Sequence, residues 1–156
     1  MRKWYGNNDY LVNWFNDGEA IRNFKDEKTG RIRSHNYNLD YIFHEAITWT
    51  VLSSGRTSFR YCPKGFLYSN SGYGMFFLDS SLLLETLGFM NGSLVSQYLK
   101  ILSPGLGVES GYLRSIPYSP TNSHSIKMLV ESCIKHSRID WDSQETSWDF
   151  KRNPLL

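Results

Sequence analysis

Residues 47–68, ITWTVLSSGRTSFRYCPKGFLY, constrain the fold of this chain more than any other stretch. Ile47, Trp49 and Val51 alternate with Thr48 and Thr50, the period of a half-buried strand. Phe59 and Tyr61 alternate with Ser58, Arg60 and Cys62, which predicts a second strand. Cys62-Pro63-Lys64-Gly65 has proline where a type I turn wants φ fixed and glycine at its fourth position. Phe66 and Tyr68 are expected to begin a third strand. Between the first two strands lies Ser53-Ser54-Gly55-Arg56-Thr57, a loop of small and polar residues with one arginine. A sheet holding such a loop offers contacts to a polar partner.

Around this sheet the pattern predicts helices. Upstream, Lys3, Trp4, Tyr5 and Tyr10, Val12, Trp14 flank Gly6-Asn7-Asn8-Asp9, as in a β-hairpin. Asp17 is placed to cap a short helix over 19–24. Residues 25–36, KDEKTGRIRSHN, lack periodicity and read as a charged loop. Asn38 is expected to cap a helical segment over 39–46. Residues 69–75, SNSGYGM, read as a glycine loop that permits close approach, without the lysine or fingerprint of a phosphate cradle.

Asp79 or Ser80 should start a helix over 81–90 whose leucines are too many for a surface element. Asn91-Gly92 should end it in left-handed conformation, and a second helix over 93–102 should follow at once. A loop over 106–120 leads to a last helix from Asn122 or Ser123 to Ser137, with Ile126, Leu129, Val130, Cys133 and Ile134 on one face. The expected class is α+β: a mostly antiparallel sheet packed with helices, closed by a C-terminal helix and an aromatic tail. The expected division is 1–138 for the domain and 139–156 for a tail that starts a further C-terminal segment.

Several chemistries are disfavoured. Asp140, Asp142, Glu145 and Asp149 crowd one local tail, where facing acid/base geometry is not expected. Cys133 and His136 share a helix face, but a metal site needs three or four converging ligands, so no metal is expected. No G-x-S-x-G nucleophile elbow, S-adenosylmethionine fingerprint or amine-holding tetrapeptide is present. Catalytic residues are therefore not assigned. Cys62 and Cys133 lie far apart and Met1 is followed by Arg2, Lys3 and Trp4, so a cytoplasmic chain with reduced thiols and no membrane association is expected. A net charge of +2 is too small for nucleic-acid binding unless the basic residues cluster in space.

RKWYGNNDYLVNWFNDG, NLDYIFHEAITWTVLSSG, FRYCPKGFLYSNSG, LGFMNGSLVSQYLKILSP, GYLRSIPYSP and IDWDSQETSWDF follow one another along the chain. In that order they resemble the C-terminal part of the adenine-specific DNA methyltransferases of BREX phage-defence systems, the PglX family. The region resembled is akin to the target-recognition (specificity) domains of TaqI-like and type IIG enzymes. The resemblance implies that the catalytic domain and its S-adenosylmethionine site lie outside this chain, which alone is read as non-enzymatic. It implies double-stranded DNA and the parent catalytic domain as partners, with other defence-system subunits as further partners.

Under that implication Arg56 is the candidate for bidentate guanine readout or a backbone contact, with Ser54, Thr57, Asn70 and Tyr73 as further base-readout candidates. Lys25, Lys28, Arg31, Arg33, Arg60 and Lys64 are the phosphate candidates, the last two on condition that they face outward. A rival reading is a protein-interaction module whose aromatic surface docks defence-system subunits or a phage-encoded inhibitor.

Overall fold

A computed structural model describes residues 2–34, 38–69 and 71–155. Its centre is a three-stranded antiparallel sheet of β1 (Ala46–Thr50), β2 (Phe59–Cys62) and β3 (Gly72–Met75), in the order β2-β1-β3. The helices are α1 (Phe15–Arg22), α2 (Leu83–Met90), α3 (Ser93–Leu102), α4 (Ser110–Arg114) and α5 (His124–Asp142). The class is α+β, with an antiparallel sheet and a C-terminal helix as expected. Among the described residues no helix is long and apolar enough to cross a membrane.

The register explains which side chains meet. Trp49 stands opposite Phe59 on one side and Tyr73 on the other, and Ile47 opposite Tyr61 and Met75. These side chains share one face because strand residues two apart point the same way. Leu83, Leu87 and Met90 of α2, Val95 and Leu99 of α3, and Val130 of α5 cover that face and complete the core. Glu85 of α2 accepts from the Thr121 amide at 2.7 Å and hydroxyl at 2.5 Å, which ties the approach to α5 back onto the core.

The third strand differs from expectation. Phe66 and Tyr68 do not begin a strand. The Phe66 carbonyl accepts from the Phe43 amide at 2.9 Å and the Tyr68 hydroxyl donates to the His44 carbonyl at 3.0 Å, so this segment returns towards the run before β1. The strand lies instead in the glycine stretch. A Cβ on Gly74 would sit 2.8 Å from the Phe76 ring and 2.9 Å from that of Tyr68, two rings packed edge to face at 5.0 Å. Glycine is used there because aromatic rings lie against the strand, and this gave the strand the composition of a loop. The preceding turn centres on Lys64–Gly65, with Gly65 at φ 97°.

Other local expectations also shift. No N-terminal hairpin forms. Trp4 bridges Arg60 in parallel, donating to the Phe59 carbonyl at 2.9 Å and accepting from the Tyr61 amide at 2.8 Å, so it extends the free edge of β2. Tyr10 and Leu11 are left 90% and 74% exposed. Asp17 does not cap α1: it sits at φ 57° inside the assigned helix, accepts from Trp14 Nε1 and pairs with Arg22. Asn38, itself left-handed, makes no side-chain cap, and only one 3-10 turn, Leu39–Tyr41, follows.

Asp79 does accept from the Ser81 amide, at the head of a 3-10 turn that leads into α2. Asn91 ends α2 in right-handed and not left-handed conformation, its amide continuing the helical bonding to the Leu87 carbonyl. A short α4 occupies part of the expected 106–120 loop, and α5 runs five residues beyond Ser137, with Trp141 buried near its end.

Candidate nucleic-acid interface

The loop over 53–57 forms one wall of a groove of about 500 Å³. Its serines brace it locally: Gly55 donates to Ser53 Oγ at 3.2 Å, and Ser58 Oγ donates to the Arg56 carbonyl at 3.3 Å. Ser53 donates to the Leu106 carbonyl at 3.0 Å and Val108 to the Val51 carbonyl at 2.8 Å, which fastens the 103–108 loop beside it. Trp49 Nε1 reaches the Val108 carbonyl at 2.9 Å, so the sheet core itself holds that loop. The buried side chains of Phe59, Met90, Leu99 and Val108 floor the groove. Ser93, Ser96 and Lys100 of α3 form the other wall, and Lys3 closes one end.

Asn91 fixes the two walls relative to each other. Its side-chain oxygen accepts from the Phe59 amide at 3.1 Å and its amide nitrogen donates to the Phe59 carbonyl at 2.9 Å. The first bond satisfies an amide on the outer edge of β2 that would otherwise be buried without a partner. The Asn91 carbonyl in turn accepts from Lys3 Nζ at 3.1 Å, which holds that ammonium at the groove.

The charge of the groove has one sign. Lys3, Arg56 and Lys100 line it, and among the described residues no aspartate or glutamate does. Among the described residues none of the three takes part in an ion pair. Ser54 and Thr57 share the loop wall with Arg56, so three of the base-readout candidates come together. Tyr73 does not join them: its ring packs edge-on to Trp49 at 5.6 Å and its hydroxyl donates to Glu109 at 2.8 Å. That bond raises the phenol above its ordinary pKa, because it favours the protonated form. Asn70 lies outside the described residues.

The phosphate candidates divide. Arg60 is buried, 5% exposed, and its guanidinium donates to Thr50 Oγ1 at 3.1 Å and reaches the Arg2 carbonyl at 3.5 Å. It faces inward, so the condition set for it is not met; burial also lowers its pKa from the ordinary guanidinium value. Arg33 is committed to Asp26, its Nε donating to the carboxylate at 2.8 Å. Lys25, Lys28 and Arg31 are exposed on a small hairpin closed by a Lys25–Ile32 bridge, and Lys64 is exposed on its turn. Positions 35 and 36 of the charged loop lie outside the described residues.

Sequence reasoning missed Lys3, Lys100 and Asn91. The two lysines are far from Arg56 in the chain, and only the packing of α3 and the N-terminal bridge against β2 brings them together. Asn91 had a visible signal, the Asn-Gly after a helix, that indicated a terminator and not a clamp. Among the described residues no group of three or more His, Cys, Asp or Glu side chains could hold a metal ion.

With this geometry in place, likeness to known proteins gives it a context. Along all 156 residues the chain is 48% identical to a segment of the adenine-specific methyltransferase PglX of Lacticaseibacillus casei strain Zhang. Its whole length is also 34% identical to a segment of the adenine-specific methyltransferase BrxX of Escherichia coli O9:H4 strain HS. The homologues are adenine-specific methyltransferases. The chain spans 13% and 12% of the length of these relatives. No protein-family model matches it.

Proposed function

We propose that this chain is a DNA sequence-recognition segment of an adenine-specific methyltransferase of the BREX phage-defence type, with catalysis located elsewhere in the parent protein. The observation that carries the reading is the groove: three cations from three distant parts of the chain, hydroxyl-bearing neighbours, and no carboxylate. A site of this kind suits a polyanion, and homology to adenine-specific methyltransferases makes DNA the polyanion of choice. Arg56 reaches a base edge from the loop, with Ser54 and Thr57 beside it. Lys25, Lys28, Arg31 and Lys64 supply outlying phosphate contacts. The methyl donor, S-adenosylmethionine, is assigned to the parent enzyme, whose relatives are methyltransferases.

The test is duplex binding by the intact chain across a salt series. Several phosphate contacts predict an affinity that falls steeply with salt, with a log–log slope of about −0.9 per phosphate. Arg56→Ala should relax sequence preference, read from enrichment in a randomised duplex pool, more than it lowers binding overall. An equal loss on every sequence would make Arg56 a backbone contact.

One observation favours the second reading, a protein-docking module. Tyr10, Leu11, Phe15 and Trp148 are 90%, 74%, 76% and 65% exposed, and all but Phe15 line a second groove with Phe43 and Trp141. Soluble monomers seldom leave such surface open. Salt-insensitive or undetectable duplex binding by the folded chain would favour this reading over the first.

A further inference from the structure

Lys3 and Lys100 belong to no motif, yet they share the groove with Arg56 and lie across it from no acidic group. Lysine is a compact point charge with three donors, suited to a phosphate oxygen and poorly suited to discriminating bases. Lys3 spends one donor on the Asn91 carbonyl, which fixes its ammonium while leaving two donors unused. Ser93 and Ser96 add hydroxyl donors on the α3 wall. Among the described residues the only aromatic of the lining is Phe59, which is fully buried. A base drawn into the groove would therefore find no face on which to stack, whereas a sugar–phosphate strand needs none.

We propose that Lys3 and Lys100, with the Ser93 and Ser96 hydroxyls, form a phosphodiester site that holds one DNA strand by its backbone and sets the register from which Arg56 reads. This rests on the DNA-recognition reading above and deepens it, dividing the groove into a positioning wall on α3 and a reading wall on the 53–57 loop. The ligand is a phosphodiester monoanion within a polymer. The site binds every duplex sequence alike.

The experiment compares the intact chain with Lys3→Gln, Lys100→Gln and the double variant, after denaturant midpoints have shown that folding is retained. Lys3 gives up one hydrogen bond to the Asn91 carbonyl and Lys100 is exposed, so each change removes a charge, and the denaturant midpoints read any structural cost. Each single variant should weaken binding about three- to tenfold on all duplexes and make the log–log salt slope shallower by about 1. The sequences enriched from a randomised pool should stay those of the unmodified chain. If the double variant keeps the original affinity and slope while Arg56→Ala weakens binding, the phosphodiester site is wrong and the DNA reading stands. If the unmodified, folded chain binds no duplex in a salt-dependent way, the DNA reading fails and the site with it. Inorganic phosphate should compete no better than chloride at equal ionic strength. Strong competition would mark a free-phosphate site and overturn the proposal.

Discussion

In the hairpin around residues 25–33 one of the four cations, Arg33, is paired with a carboxylate, whereas the cations of the groove line one cavity without any. Asp26 is the hub of the hairpin. It accepts from the Lys28 amide at 3.0 Å, the Thr29 amide at 2.8 Å, the Thr29 hydroxyl at 3.1 Å and Arg33 Nε at 2.8 Å. The Arg33 charge is thereby spent on shaping a surface turn, while Lys25, Lys28 and Arg31 stay exposed. The groove takes Lys3, Arg56 and Lys100 from a terminal arm, a loop and a helix, and leaves their charge available. The hairpin looks basic in the sequence and is partly neutralised in space; the groove shows only its 53–57 wall in the sequence and is uniformly basic in space. Charge density along a chain is a poor guide to potential at a surface when the fold can pair or gather the same side chains.

The largest effect should come from Asn91, on which the groove walls depend. Asn91→Ala leaves the Phe59 amide buried without a partner, while the Phe59 carbonyl keeps the Trp4 amide. One orphaned buried donor costs about 2 kcal/mol, or roughly thirtyfold in the folding equilibrium. Denaturant unfolding should show a lowered midpoint at unchanged slope, accompanied by weaker duplex binding. A loss below about 0.5 kcal/mol would mean that water replaces the side chain and that the walls do not need this clamp. The hairpin contains no comparable buried donor, so no single polar substitution there should reach this size.

This difference also sets what could be read in advance. The alternation of Ile47, Trp49 and Val51, the second strand at Phe59 and Tyr61, and the apolar run of α2 follow from local pattern, and the structure contains them. The 53–57 loop was legible as a polar presentation between strands, and with it half of the groove. The strand at Gly72–Met75 was not, because its Gly74 makes room for rings that arrive from Tyr68 and Phe76. Nor was the inward turn of Arg60. Its alternation partners, Phe59 and Tyr61, fixed its face of the sheet, but whether that face is covered depends on the N-terminal arm and the Tyr68–Phe76 pair. The opposite wall of the groove required three long-range placements at once, which periodicity does not encode.

A smaller effect would sharpen the comparison directly. Lys28→Glu with Arg31→Glu reverses two exposed charges on the hairpin, and Arg56→Glu reverses one in the groove. Duplex affinity should fall about threefold for the hairpin pair and tenfold or more for Arg56 at the same salt. The hairpin pair should respond to added salt as a distant charge does, vanishing once the Debye length falls below about 8 Å. Were the hairpin pair to cost as much as Arg56, the hairpin would be a principal contact and the contrast between the regions would collapse.

The smallest effect is expected from acid, and it should be confined to the hairpin. The Thr29 amide above all, then Arg33 and the Thr29 hydroxyl, hold the Asp26 carboxyl below its ordinary pKa of 3.8. A carboxylate whose folded pKa is depressed contributes stability that is fully present above its unfolded value. That contribution is lost as pH falls from the unfolded value through the folded one. The hairpin should therefore be unchanged from neutral pH down to about pH 5 and should loosen below pH 4. Amide exchange at Thr29, Gly30 and Arg31 reads this locally, and Asp26→Asn should abolish the pH dependence by removing the titrating group. The groove contains no carboxylate, so over the same interval its geometry should be indifferent to pH. A parallel rise in exchange at Phe59, whose amide is held by the uncharged Asn91 side chain, would show that hairpin and groove unfold as one unit and that the two regions are not energetically separable.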